Sequence, residues 1–335
     1  MKKSVQFLLI LIITPFFYIS PQKIGFSGYG STGINFYERP IAIGASQEVY
    51  FEGKFQAELK INKDIEAQLD FRGNSEDESV TLREFSAKFE YWERMKIEVG
   101  NLKQPFGYEQ TVSSEDLELV DESFFNEQAS DFGYAVRYIS VMVYSKYKDE
   151  YKSFPFSYYV SLFKSNSYSS GAYARLSYHN NDFIYSINYA FHAIGGNYPY
   201  NANAFAGDIT FKPKNARVTF EAFYMKNTEL VSERIVMNGD ENIYAAGARL
   251  LAANIFETDW KYIKGIEPVF LIGYFVPDFN ETDFHTIQYV PGLNIYFDKD
   301  VRLRFNYYGL LTKNRFNSDY STLNSLGIME LQVRF

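Results

Sequence analysis

The chain has 335 residues, of which 46% are hydrophobic, 19% aromatic and 22% charged, with no cysteine and a formal net charge of −8. These figures exclude a disordered chain, which holds too little apolar surface to fold, and they exclude disulfide staples and cysteine-based zinc sites. The acidic balance argues against a nucleic-acid backbone as partner. The mean hydropathy of −0.26 excludes a bundle of spanning helices, each of which needs about 20 apolar residues, but leaves open a membrane β-barrel, in which half of each strand faces water.

Lys2 and Lys3 precede an apolar run from Val5 to Ile19. That length suits a secretory signal and is too short for a spanning helix. Residues 1–20 are therefore expected to be a signal peptide, and 21–335 a single domain. Next comes Gly28-Tyr29-Gly30-Ser31-Thr32-Gly33, which spells the glycine pattern of dinucleotide sites. Such a site needs a helix to follow, whose N-terminus receives the pyrophosphate. Ile34-Asn35-Phe36-Tyr37 continues a strand instead.

From Val49 onward the chain alternates with period two. Val49, Phe51, Gly53, Phe55, Ala57, Leu59 and Ile61 form one face, and Tyr50, Glu52, Lys54, Gln56, Glu58 and Lys60 the other. After Asn62-Lys63, Ile65, Ala67, Leu69 and Phe71 oppose Glu66, Gln68, Asp70 and Arg72; then Phe85, Ala87, Phe89 and Tyr91 oppose Glu84, Ser86, Lys88 and Glu90. The rhythm persists through Val218–Tyr224, Ile287–Ile295 and Val301–Tyr307 to Met329–Phe335. About sixteen strands are expected, centred near residues 30, 55, 68, 86, 98, 138, 159, 175, 186, 208, 220, 248, 270, 290, 305 and 330, those near 138, 159 and 248 being weakly marked. No helical stretch longer than two turns is expected after the signal. Tight turns such as Asn62-Lys63, Trp92-Glu93 and Asp298-Lys299-Asp300 alternate with longer loops, the longest at about 103–130, which is the habit of outer-membrane barrels.

A soluble sandwich also alternates, with its apolar face inside. Three features favour lipid outside. The strands run to 10 residues or more in Val49–Ile61, aromatics gather near strand ends as they do at membrane interfaces, and Phe335 closes an aromatic terminal strand of the kind that the outer-membrane assembly machinery recognises. The fold class read from these features is all-β, a transmembrane antiparallel β-barrel. Closure is required because an open sheet edge in lipid leaves backbone groups unpaired. His179, His192 and His285 lack ligand spacing and are expected at the surface or an interface; the acidic turn Glu76-Asp77-Glu78 reads as a solvated loop. No catalytic residue, metal or cofactor is expected, since a rim enzyme would need a Ser, a His and an orienting group that no local signature supplies.

Two stretches carry a resemblance. Val99-Gly-Asn-Leu-Lys-Gln-Pro-Phe-Gly-Tyr-Glu-Gln-Thr-Val-Ser-Ser-Glu-Asp, residues 99–116, resembles the strand-to-loop segment of the porin O/P family, the phosphate-selective porins. Gly292–Phe297, Val301–Tyr307 and Leu331–Phe335 are similar to that family's closing hairpin. The resemblance implies a sixteen-stranded trimeric porin whose loop after the fifth strand folds inward and narrows the pore. That loop carries Lys103 against Glu109, Glu115, Asp116, Glu118, Asp121, Glu122 and Glu127, a departure from the basic constriction of phosphate-specific members. Acidic rings favour cations, so weak cation preference, or little preference, is expected. Lys88, Lys96, Arg137, Arg217, Glu221, Arg302 and Arg304 are expected to line the pore. The reading is a water-filled outer-membrane channel for passive diffusion of small hydrophilic solutes or ions, surrounded by outer-membrane lipid and lipopolysaccharide; a non-channel barrel serving as a rim enzyme or adhesion scaffold is the alternative.

Overall fold

The computed structural model describes residues 23–37, 47–75, 78–147, 154–165, 169–238, 242–313, 320–322 and 325–335. The expected signal at 1–20 and most of the turn Glu76-Asp77-Glu78 lie outside the described residues. The long alternating segments become β1 (Lys23–Tyr37), β2 (Gln47–Lys60), β3 (Ile65–Asn74), β4 (Ser79–Trp92) and β5 (Met95–Lys103). After the longest loop come β6 (Arg137–Ser145), β7 (Phe156–Lys164), β8 (Ser169–Asn180), β9 (Phe183–Ile194), β10 (Tyr200–Phe211) and β11 (Ala216–Lys226). The ring is completed by β12 (Tyr244–Asn254), β13 (Gly265–Val276), β14 (His285–Asp298), β15 (Val301–Lys313) and β16 (Leu326–Arg334).

Every neighbouring pair is antiparallel. β1 pairs with β2 on one side and, from Tyr29↔Arg334 to Tyr37↔Leu326, with β16 on the other, so the sheet closes on itself. Two short segments, Phe256–Glu257 and Tyr320–Thr322, extend the ladders on β13 and β15. Sixteen full strands remain, and each expected strand centre falls within one of them.

Among the described residues two α-helices interrupt the loops, α1 (Phe124–Asp131) and α2 (Thr228–Asn238). With 11 residues, α2 corrects the expectation that no helix exceeds two turns. Its signals are confined to one loop: the Asn227 side chain accepts the Leu230 N–H at 3.0 Å, and Glu229 sits in the first turn, an ordinary N-cap in a segment too short to show a period. Among the described residues, no helix is long and apolar enough to cross a membrane.

The barrel is apolar outside and polar inside over much of its circumference. Phe26, Phe51, Val80, Ile139, Leu162 and Ile187 face outward and are more than half exposed. The alternate positions in β2–β4, such as Lys54, Asp70 and Lys88, face the lumen and pair there. A surface of this kind is stable only against an apolar medium.

The other half of the lumen wall breaks the polar rule. Ala202, Ala204 and Ala206 of β10, Phe223 and Met225 of β11, Ala245 of β12 and Phe275 of β13 point inward and are buried against Phe106, Phe125, Phe132 and Tyr134 of the loop between β5 and β6. Leu251, Val269, Leu271 and Val290 do the same around Tyr108 and Leu119. The weakly marked strands have this cause: their inward residues, such as Tyr138, Phe163 and Ala245, pack against loop residues and need not be polar. His192, expected at the surface or an interface, lies 2% exposed in this packing, bonded to Tyr173 Oη at 2.8 Å and tilted against the Tyr134 ring. The fit is close. A Cβ at Gly273 would stand 2.0 Å from the Phe125 ring, so only glycine admits the loop there.

Phe125→Ala should therefore leave a cavity inside the barrel and cost about 3–5 kcal/mol. The temperature at which the folded, fast-migrating band is lost in detergent gels should fall; an unchanged temperature would mean that the loop packing does not support the barrel.

Candidate functional site: the slit beside the inner loop

The chain from Gln104 to Val136 does not leave the barrel mouth. It folds inward, and its backbone takes partners from the inner wall. Arg302 donates to the carbonyls of Leu117 at 3.1 Å and Glu115 at 2.7 Å, and Arg304 to that of Leu119 at 2.8 Å. Asn306 accepts the Val120 N–H at 2.7 Å, and the Tyr308 hydroxyl accepts the Asp121 N–H at 2.7 Å. These four wall residues are alternate positions of β15, so one strand face holds the loop segment 115–121 along its length. Gln288 and Asn294 of β14 take the Phe124 N–H and the Glu118 carbonyl. Enclosed backbone groups need such partners.

Charge reinforces the attachment. Glu118 pairs with Arg217, and Glu109 meets Arg249 at 2.5 Å. The two acids are 5% and 3% exposed. Burial pushes both carboxyls upward against the pull of these arginines.

What remains open is a slit of about 390 Å³ between the loop and the wall of β2–β6. Its wall presents Lys54, Glu58, Glu66, Asp70, Arg72, Arg83, Glu84, Lys88, Glu98, Arg137 and Lys146, and its loop side Gln110 to Ser114 and Glu122, with Lys103 between them. Seven basic and six acidic side chains line it, close enough to balance that neither sign dominates. Many are paired: Lys88 with Glu66 at 2.7 Å, Lys54 with Asp70 at 3.6 Å and with Glu115 at 3.1 Å, and Arg137 with Glu84 at 3.7 Å. Burial would raise the Glu115 carboxyl, but Lys54 holds it below its ordinary value. Among the described residues, Arg83 has no carboxylate within ion-pair distance.

The residues expected from sequence thus separate. Lys103, Glu122, Lys88 and Arg137 line the slit, Glu115 reaches it through Lys54, and Asp121 and Glu127 are exposed on the loop. Lys96 pairs with Glu90 at 2.5 Å next to the turn before β5. Asp116 pairs with Arg334 at 2.9 Å. Arg217 and Arg302 border a smaller recess of about 220 Å³ near the turn at Pro213. Glu109 and Glu118 do not line the slit, Glu118 bordering the smaller recess instead, and Arg304 and Glu221 are enclosed, 2% and 4% exposed. These placements correct the sequence reading, and the cause is shared: inward-facing polar residues on β11–β15 meet the loop before they meet water. Lys54, Asp70, Arg72 and Arg83 were missed as slit residues, although the same alternation marks the first three. The signal that separates the two walls was the apolar inward positions of β10 and β13.

Residues 25–205 match the family profile described as phosphate-selective porin O and P. No curated protein matches the chain. Among solved structures, an anion-selective porin from Comamonas acidovorans superposes with a TM-score of 0.68 at 11% identity, covering 93% of this chain and 99% of that one. OmpF of Salmonella typhi, in complex with daunomycin, gives 0.63 at 15%, covering 95% and 99%. OmpT of Vibrio cholerae, an outer membrane protein in trimer form, gives 0.59 at 10%, covering 93% and 99%. At these identities the likeness is one of fold.

Two variants should separate the two walls. Arg83→Gln should shift ion preference toward cations, measured as reversal potential across a salt gradient, with thermal stability unchanged. Arg304→Gln should leave Glu330 without its cation, costing about 3–5 kcal/mol, with little change in preference. Acid should act through Asp121. Its carboxyl, deep in the barrel though open to lumen water, is pushed up to about 6, by burial first and then by Glu122, Glu127 and Glu52. It is ionised at neutral pH and takes up a proton as pH falls through about 6, so cation preference should drop over that interval. In Asp121→Asn the reversal potential should show no such step.

Proposed function

The chain belongs to the phosphate-selective porin O and P family of outer-membrane porins, and on that premise we propose that its slit passes small hydrophilic solutes and ions with little preference for charge. The observation that carries the reading is the composition of the slit: seven cations face six carboxylates, and several cations are already neutralised by wall or loop acids. A filter for anions needs basic side chains that are free to meet the ion, and paired ones offer little. Phosphate selectivity is therefore not part of the proposal.

The loop supports passage by size more than by charge. It fills the β9–β15 side of the lumen with side chains and leaves water the β2–β6 side. The same reading takes residues 1–20 as an export signal, the outer face as a contact for outer-membrane lipid and lipopolysaccharide, and three copies as the working assembly, the form described for Vibrio cholerae OmpT.

Purified, folded protein should give discrete conductance steps in a planar bilayer, with a small reversal potential in a salt gradient. Absence of steps would overturn the channel. Strong anion selectivity would overturn the near-neutral slit.

A further inference from the structure

Arg249 stands at an inward position of β12, opposite Gly273 in the β13 ladder. Its guanidinium donates to Glu221 through Nε at 2.8 Å and through Nη2 at 2.5 Å, to Glu109 through Nη1 at 2.5 Å, and also contacts Ser123 Oγ. The two carboxylates carry the link further. Glu221 accepts the Tyr108 N–H at 2.8 Å, and Glu109 accepts both the Ser123 N–H at 3.2 Å and its hydroxyl at 3.0 Å. Ser123 is the N-cap of α1. One buried side chain thus joins the wall to the loop at residues 108–109 and again at 123. The segment between those two points holds Gln110 to Ser114 and Glu122, the loop side of the slit.

We infer that Arg249 is a positioning residue that fixes the width of the slit, by tying both ends of its loop side to one point on the wall. The inference rests on the channel reading only for its conductance readout. The charge arrangement makes the tie strong. Arg249, Glu109 and Glu221 are 5%, 3% and 4% exposed, with one cation between two carboxylates. Taking the arginine away leaves two buried acids facing each other, which is far worse than removing the whole set. Arg302 holds the carbonyls of Leu117 and Glu115, and Arg304 that of Leu119, all within the segment; neither joins its two ends.

The sequence holds no cysteine, so a single introduced thiol reports cleanly. Ala129→Cys places it on the buried face of α1, 6% exposed, where the loop packs against the wall. In that background Arg249→Met should be labelled by a soluble thiol reagent about tenfold faster or more, as local opening becomes easier, while the folded band persists in detergent gels. In the bilayer, Arg249→Met should give larger steps that fluctuate among several sizes. Should Arg249→Met fail to fold, adding Glu109→Gln and Glu221→Gln removes the stranded charges; this triple variant should fold and still show fast labelling and unsteady steps. A folded variant with wild-type labelling and wild-type steps would overturn the inference. If the wild type gives no steps, the channel reading fails, and the labelling rates alone decide the role of Arg249.

Discussion

A chain that crosses the inside of a barrel must satisfy its own backbone there. Apart from α1 and a few single turns, residues 104–136 enter the lumen with little regular structure, so most of their N–H and C=O groups do not pair among themselves as those of a long helix or a sheet do. Water on one side and side chains from the wall on the other are the available partners. The wall supplies them in register: alternate residues of β15 present Arg, Arg, Asn and Tyr to successive carbonyls and N–H groups of the loop. Much else follows from this requirement, because a loop held over its length also presents its aromatic side chains in fixed positions. Small inward residues on β10 and β12, and Gly273, leave the room they occupy.

The result is a barrel with two interiors. One is a packed core, with Phe125 edge-to-face against Phe223 at 5.6 Å and near Phe275 at 6.3 Å, held by the same dispersion and burial that stabilise a soluble domain. The other is a wet slit whose charges pair across neighbouring strands. Buried ion pairs are not by themselves a source of stability; those between wall and loop, Arg217–Glu118 and Arg249–Glu109, fix a geometry. The bulk of the holding energy is better assigned to the aromatic core, since burial of each large side chain contributes about 1.5–3 kcal/mol.

The outer face was open to reading from sequence, because its signal is local. Val49–Ile61 alternates residue by residue, and any strand with lipid on one side must do so. The number of strands and the inward loop could be read for the same reason, the loop through its resemblance at residues 99–116. The two interiors could not. Lys88 on β4 and Arg304 on β15 sit in identical alternating patterns, yet one lines the slit and the other holds a carbonyl of the loop. Which fate a residue meets depends on the path of a segment almost two hundred positions away in sequence. A trace of the difference was present in the apolar inward residues of β13, Val269 and Leu271, which no water-facing wall would choose.

Charge counted along a chain is for this reason a poor guide to charge in a pore. The net charge of −8 and the run of loop acids both suggest a negative constriction. Inside the barrel, Glu109 and Glu118 are taken by arginines of the covered wall, and Glu115 is matched by Lys54. The acids left to face the slit from the loop reduce to Glu122, with Asp121 beside it. Opposite them stand Arg83 and Lys103, the latter donating to the backbone carbonyls of Glu109 and Val112 at 3.0 and 3.2 Å. A passing ion feels mainly the charges left unpaired, because the fields of close pairs cancel over a few ångströms. The loop therefore fixes the slit's charge as it fixes its width: by which of its own side chains it hands to the wall.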